Sequence, residues 1–379
     1  MGGDSRERRA PAISPQRHVL QPHEQVAPVV EYLLPTAHSV PGRLAAADDG
    51  SIWFAATAGD RILRITASGM LREFPLPAED CRPDGTCIAP DGAVWFYEGN
   101  GLSVDRLKPD GGLVRFAVPA SGPRREPCQP SSIAVGPDGT VWFAEHPDHW
   151  LGTIRPDGAM SEVPVPAGHG APCTLCGHPD GSLWFADCGG SRIGRIDPGG
   201  AVTSFRRPAH DTGQVSAMTD CGGGVAYVDI DRGIAGRVTE TGTFTEWDHP
   251  CLQGATDIRP GPRGSLWVAT ADANAVLGFT ADGSAVELPL PTASSRPASL
   301  VVAPDGSLWV AEATGNRVAR MPASLMNHHL AHGAPVTADV LGRVSRGGRS
   351  GCVADRPRRD RRPQSGRGGP LDTTITAAE

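Results

Sequence analysis

One phrase recurs along this chain, and its spacing constrains the fold more than any other feature. It reads D-G-S-I-W-F-A-A, D-G-A-V-W-F-Y-E, D-G-T-V-W-F-A-E, D-G-S-L-W-F-A-D, G-G-G-V-A-Y-V-D, R-G-S-L-W-V-A-T and D-G-S-L-W-V-A-E. The anchors Trp53, Trp95, Trp142, Trp184, Ala226, Trp267 and Trp309 are 42, 47, 42, 42, 41 and 42 residues apart. That makes seven copies with one five-residue insertion. A unit of this size has a hydrophobic face that only a neighbouring copy can cover. A period near 40 residues with four short strands marks the blades of a propeller.

The third copy shows the strands. Ser131–Gly136 is a mainly small and apolar run ending in a Pro-Asp-Gly turn signal, and Thr140–Glu145 alternates apolar with polar residues. Leu151–Arg155 and Met160–Val165 follow across a second Pro-Asp-Gly turn. We call the four strands of a blade A (innermost) to D (outermost). The repeated Trp falls on strand B, where it reads as an anchor between blades.

Ring closure can be counted. Strand D recurs as L-R-E-F-P-L-P, L-V-R-F-A-V-P, M-S-E-V-P-V-P, V-T-S-F-R-R-P, F-T-E-W-D-H-P and A-V-E-L-P-L-P, and the seventh repeat ends at Met321 without one. The missing copy is V-V-E-Y-L-L-P, Val29–Pro35. The sequence therefore predicts an all-β, seven-bladed propeller of four-stranded blades, closed by its own N-terminal outer strand. Residues 26–324 are expected to form the propeller, with 1–25 and 325–379 as disordered tails.

Composition removes some function classes. A net charge of -7 gives the whole chain no bias toward nucleic acid; the basic run Arg356-Pro-Arg-Arg-Asp-Arg-Arg could carry such contact only through the C-terminal tail. No apolar run is long enough for a membrane helix, and the N-terminus has no apolar signal region. The nine cysteines are expected as reduced thiols, and the protein as a cytoplasmic monomer.

Antiparallel geometry sorts the remaining polar residues by face. The D–A and B–C loops, the start of strand A and the end of strand B share one end, which we call the top. His38, His169, His210, His249, His146 and His149 fall there, while His178 falls at a bottom turn. The B strands end in Ala56, Glu98, Glu145, Asp187, Asp229, Thr270 and Glu312, so five of seven are acidic. Carboxylates crowded at a channel mouth repel one another. Either a divalent cation such as Mg²⁺ or salt bridges to Arg82 and Arg296 would offset that repulsion. The insertion within Ala120–Gln129 also lies on top and carries Arg124 and Arg125.

The cysteine signals are weak. Cys173 and Cys176 form a C-x-x-C followed by His178, but odd separation on a strand puts the thiols on opposite faces, which argues against a zinc or redox site. Cys87, Cys176 and Cys221 read as small core residues, and Cys173 and Cys188 as candidate nucleophiles nearer the top.

The phrases W-F-A-E and R-I-G-R-I, the Pro-Asp-Gly turns and the 42-residue period resemble the virginiamycin B lyase (streptogramin lyase) family over Val29–Met321. The resemblance implies a propeller enzyme that linearises cyclic depsipeptides by elimination, with Mg²⁺ and a histidine base. In that family the chemistry sits in a Glu-Pro-His phrase opening strand A and in the Glu closing strand B. Here the phrase reads Val40-Pro41-Gly42, Arg82-Pro83-Asp84, Gln129-Pro130-Ser131, Ala171-Pro172-Cys173, Gly213-Gln214-Val215, Gly254-Ala255-Thr256 and Arg296-Pro297-Ala298. None carries the histidine or the leading glutamate.

Expectation therefore centres on a divergent carbon–oxygen lyase acting on a cyclic ester, lactone or peptide-like natural product in the top basin. His169, His146 and Asp84 are the candidate catalytic groups, with Asp84 and Glu98 read as a carboxylate pair. Arg82, Arg296, His38, His210 and Gln129 are candidate substrate contacts, and Glu98, Glu145, Asp187, Asp229 and Glu312 candidate metal ligands. The alternatives are a non-catalytic binding propeller and a metal-dependent lactonase.

Overall fold

The computed structural model describes residues 28–332, apart from 101, 119, 122–125, 128, 147, 148, 188, 190, 209–212 and 281–283. Seven antiparallel four-stranded sheets follow one another around a ring. Their inner strands are Pro41–Ala46, Pro83–Ile88, Gln129–Val135, Pro172–Gly177, Val215–Asp220, Ala255–Pro260 and Pro297–Val302. Blade 3 continues through Val141–His146, Trp150–Ile154 and Met160–Pro164, within two residues of the strands expected from its turns. Its insertion adds a two-stranded ribbon, with Ala120 opposite Pro127 and Ser121 opposite Glu126; Arg124 and Arg125 lie outside the described residues.

A repeated side-chain ladder holds blades 1, 2, 4 and 7 together. The B-strand Trp stacks on an aromatic ring of strand D: Trp53 on Phe74 and Trp95 on Phe116, both at 5.3 Å, and Trp184 on Phe205 at 5.9 Å. A C-strand arginine covers the other part of the indole, as Arg64 does over Trp53 at 5.4 Å and Arg195 over Trp184 at 5.9 Å. The same arginines reach the Asp of the A–B turn: Arg64 to Asp49, Arg106 to Asp91, Arg195 to Asp180 and Arg320 to Asp305. The indoles also cross between blades. Trp53 packs with Val94 and Phe96 of blade 2, and Trp95 with Ile133 and Phe143 of blade 3.

The N-terminal segment closes the ring as the count of D strands requires. Val30–Leu33 pairs antiparallel with Arg317–Met321 in the sheet of blade 7. Tyr32 completes the ladder there, stacking on Trp309 at 5.5 Å. Glu31 binds Arg317 at 3.2 Å and accepts from the Thr292 hydroxyl at 2.7 Å.

Two expectations need correction. The chain does not become tail at 325: a helix, α1 (Ala323–His332), seats Leu325 and Met326 in the core beside Trp267 and Leu308. Met326 and Leu330, four residues apart and so on one helix face, supplied the missing signal. The expected tails over 1–25 and beyond 332 lie outside the described residues. The cysteines are not all reduced either, because Cys251 is disulfide-bonded. Cys81, Cys87, Cys173, Cys176 and Cys221 are free. No described helix is long and apolar enough to cross a membrane.

Two measurements test the closure. Replacing Tyr32 by Ala removes a ring stacked on a buried indole, and should lower unfolding stability by about 1–3 kcal/mol in denaturant titrations. The second concerns Glu312, whose carboxyl is pushed up to about 7 by burial first and the charge of Glu31 next. The native state then binds a proton more tightly than the unfolded chain does. Its contribution is present below the unfolded value near 4.5 and is lost as pH rises toward 7. Glu312→Gln should flatten the decline in stability over that window, a difference on the order of 2–3 kcal/mol at pH 8.

Candidate active site at the top of the channel

Pairing at the top end is the same in all seven blades. Pro41 faces Ala56, Pro83 Glu98, Pro130 Glu145, Pro172 Asp187, Val215 Asp229, Ala255 Thr270 and Pro297 Glu312. Just beyond that pair the register slips in six blades, and in blade 2 it slips one step later, after Asp84 has paired with Tyr97. Such a bulge leaves an extra residue unpaired and re-aims its side chain. The residues after the opening pair are Gly42, Asp84, Ser131, Cys173, Ser216, Thr256 and Ala298, and all seven border one cavity of about 240 Å³. The pairing also corrects blade 5, where the phrase is Gln214-Val215-Ser216, one residue later than its sequence reading.

Two charged groups of this cavity stand out. Asp84 accepts the Gly85 N–H at 2.8 Å, and its side chain lies across the space that a Cβ on Gly42 would fill, 2.8 Å from Oδ1. Arg43 follows Gly42, borders the same cavity and has no hydrogen bond or ion pair among the described residues. Tyr97 lies between them: its hydroxyl is pushed up by burial first and by the Asp84 charge next, while Arg43 opposes. Deeper in, Asp257 is buried against Arg259 at 2.6 Å and accepts from Ser299 Oγ at 2.7 Å. Arg43, Tyr97, Asp257 and Arg259 were not singled out from the sequence. The signal for Arg43 was an arginine two places after the Pro that opens strand A, visible only once the bulge position is known.

The acidic strand ends do not gather at the channel mouth. Glu98 is fully buried against its own blade, where Arg115 of strand D pairs with both it and Asp105. Burial raises the Glu98 carboxyl, Asp105 adds to the rise, and Arg115 opposes it. Asp84 is not its partner, so the expected Asp84–Glu98 pair is corrected: neighbouring positions on a paired strand point to opposite sides. Asp229 binds the buried Arg207 at 2.8 Å. Asp187 accepts the N–H groups of Ala171 and Gly189 at 3.2 and 3.1 Å. Glu145 borders a separate cavity beside Trp150 and Glu162. Glu312 faces Glu31 and Arg317 in the closing blade.

Ion pairing is thus present, but through Arg115 and Arg207 and not through Arg82 or Arg296. Those two side chains are exposed, and their N–H groups are held by Asp60 and Asn274 at 3.2 Å with φ of 50° and 52°. Among the described residues, the acids at the B-strand ends form no group of three ligands around one point. With no histidine at any bulge position, the residues here do not fit the magnesium-and-histidine site that the resemblance implies.

The histidines are scattered over the top. His38 is exposed at φ 57°. His169 is half-buried, with Nδ1 lacking a hydrogen-bond partner. His249 Nδ1 accepts the Cys251 N–H at 3.2 Å. His146 sits opposite Gln129 in the strand pairing; the side chains of both, and His210 altogether, lie outside the described residues. None of the described histidines lines the cavity. The free thiols Cys87 and Cys176 are pushed up to about 12, chiefly by burial, which disfavours either as a nucleophile at neutral pH.

Comparison with known proteins agrees with the propeller fold. The chain is similar to virginiamycin B lyase from Staphylococcus aureus, at 26% identity and a TM-score of 0.71, over 77% of this chain and 98% of that one. A catalytically inactive variant of that enzyme with quinupristin gives 25% identity, 0.71, and the same coverage. A streptogramin B lyase gives 25% identity and 0.70 over 77% and 96%. No curated protein matches the chain. The model of the virginiamycin B lyase family matches residues 21–127 and 115–321, and the chain belongs to that family.

Proposed function

We propose that this propeller is a divergent carbon–oxygen lyase that opens a cyclic ester or peptide-like natural product at the top of its channel. The supporting observation is the shared cavity of Asp84 and Arg43 at the start of strand A, with Asp84 paired opposite Tyr97 and Arg43 inside the register slip of blade 1. Asp84 takes the proton from the carbon next to the ester or amide carbonyl. Those electrons form a carbon–carbon double bond as the bond from the next carbon to the ring oxygen breaks. The departing carboxylate opens the ring, and Asp84 returns its proton to water. Arg43 holds the carbonyl oxygen while negative charge builds on it. Arg82 and Arg296, exposed on the rim, contact the parts of the substrate outside the cavity. Ser131, Ser216 and Thr256 leave the cavity polar and narrow, which suits one substituent of a larger ring.

A second reading, a propeller that binds such a compound without turning it over, is favoured by the absence of histidine from all seven bulge positions. Quinupristin and mass spectrometry separate the two. Elimination gives a linear product of the same mass as the substrate, and Asp84→Asn or Arg43→Ala should slow its formation at least ~100-fold. A product heavier by one water marks a lactonase. Intact quinupristin that nevertheless binds in calorimetry, with Arg43→Ala weakening it, marks the binding propeller.

A further inference from the structure

The bottom face carries a second constellation that the top-face chemistry does not use. His178 directly follows the first strand of blade 4, at the rim of a cavity of about 670 Å³ that Asp220 of blade 5 also borders. The ring is 6% exposed and lies between two carboxylates, with Nδ1 2.8 Å from Asp180 and Nε2 3.2 Å from Asp220. Nε2 has no hydrogen-bond partner despite that approach. A neutral imidazole has only one N–H; Nδ1 accepts the Asp180 N–H at 3.4 Å, which leaves its lone pair facing the Asp180 carboxylate acceptor to acceptor.

A second proton on the ring or a cation bound at one nitrogen relieves that opposition, and Glu240 favours the cation by bringing another carboxylate to the same point. This exposed side chain has no partner among the described residues. A nitrogen of His178 and oxygens of Asp180 and Glu240 lie within 4.8 Å of one another. Among the described residues this is the one such group of three. Asp180 also has a structural part, because Ser182 and Arg195 bind it as their counterparts bind Asp49 and Asp305. His178 and Glu240 have no counterpart of that kind. The C-x-x-C beside His178 does not join in: Cys173 faces the top cavity and Cys176 is buried.

We propose that His178, Asp180 and Glu240 hold a divalent transition metal, zinc by donor type, with Asp220 orienting the imidazole from its other nitrogen. One nitrogen with carboxylate oxygens suits zinc better than magnesium, and a carboxylate on the far nitrogen is the usual way a ligating histidine is fixed. The cation ties the turns of blades 4 and 5 across the bottom mouth. The inference is independent of the top-face reading, and its test does not use activity.

The test is zinc titration of the full chain by calorimetry, with thermal unfolding beside it. Expected is one zinc equivalent whose affinity falls at least ~10-fold in His178→Ala and in Glu240→Gln. Zinc should raise the melting temperature of the wild type and not of Glu240→Gln, and magnesium should do neither. Zinc affinity and melting shifts that are the same in wild type and Glu240→Gln overturn the site, as does a wild type that binds no zinc. Glu240 is exposed and makes no contact the fold needs, so its variant carries the test even if His178→Ala does not fold.

Discussion

The contact on which the rest of this structure depends is the tryptophan of strand B. In blades 1, 2, 4 and 7 the indole is stacked by an aromatic ring of strand D and covered by an arginine of strand C, which also binds the Asp of the A–B turn. One side chain thereby ties the inner turn, the second strand and the two outer strands. The same indole presents its apolar area to the next blade. Hydrophobic burial between blades and cation–π and ion-pair contacts within a blade are therefore coupled at one residue. Blade 5 shows what replaces it. Ala226 takes the Trp position, Trp247 moves to strand D, and Arg237 covers it at 5.7 Å.

This coupling explains why ring closure was readable from the sequence. Strand D must carry an aromatic or bulky residue to meet the indole and a polar residue to meet strand C. V-V-E-Y-L-L-P satisfies both, with Tyr32 on Trp309 and Glu31 on Arg317. A short phrase at the far end of the chain could be assigned because its two key residues have separate physical partners. The two-residue boundary differences in blade 3 reflect only where pairing frays at the turns.

The acidic strand ends were legible as a pattern and not as a site. Their position along strand B places them at the top, but a strand position does not say which neighbour a side chain meets. Outer strands decide that. Arg115 stands where other blades carry Glu73 or Glu31, and so draws Glu98 outward; Arg207 leaves blade 4 and draws Asp229 into a buried pair. A sequence reading that follows strands A and B alone misses both arginines. The bulge is harder still. It shifts the register near the start of strand A in every blade, so Arg43 and the correct frame of blade 5 appear only when pairing is known.

That bulge also gives meaning to the missing histidines. The seven residues that follow the opening pairs and border the cavity are Gly42, Asp84, Ser131, Cys173, Ser216, Thr256 and Ala298, and every one is small. An imidazole at any of these positions would project into the space the others leave open. The small side chains at these positions are therefore what keeps the cavity open. The space next to Gly42 is where Asp84 now lies, with Arg43 beside it. A carboxylate and a guanidinium without an ion-pair partner, placed in a narrow polar pocket, are expensive to keep in a fold that has Arg115 and Arg207 to satisfy its other acids. With Arg43 outside any ion pair among the described residues, that cost is one the proposed substrate would offset through its carbonyl oxygen.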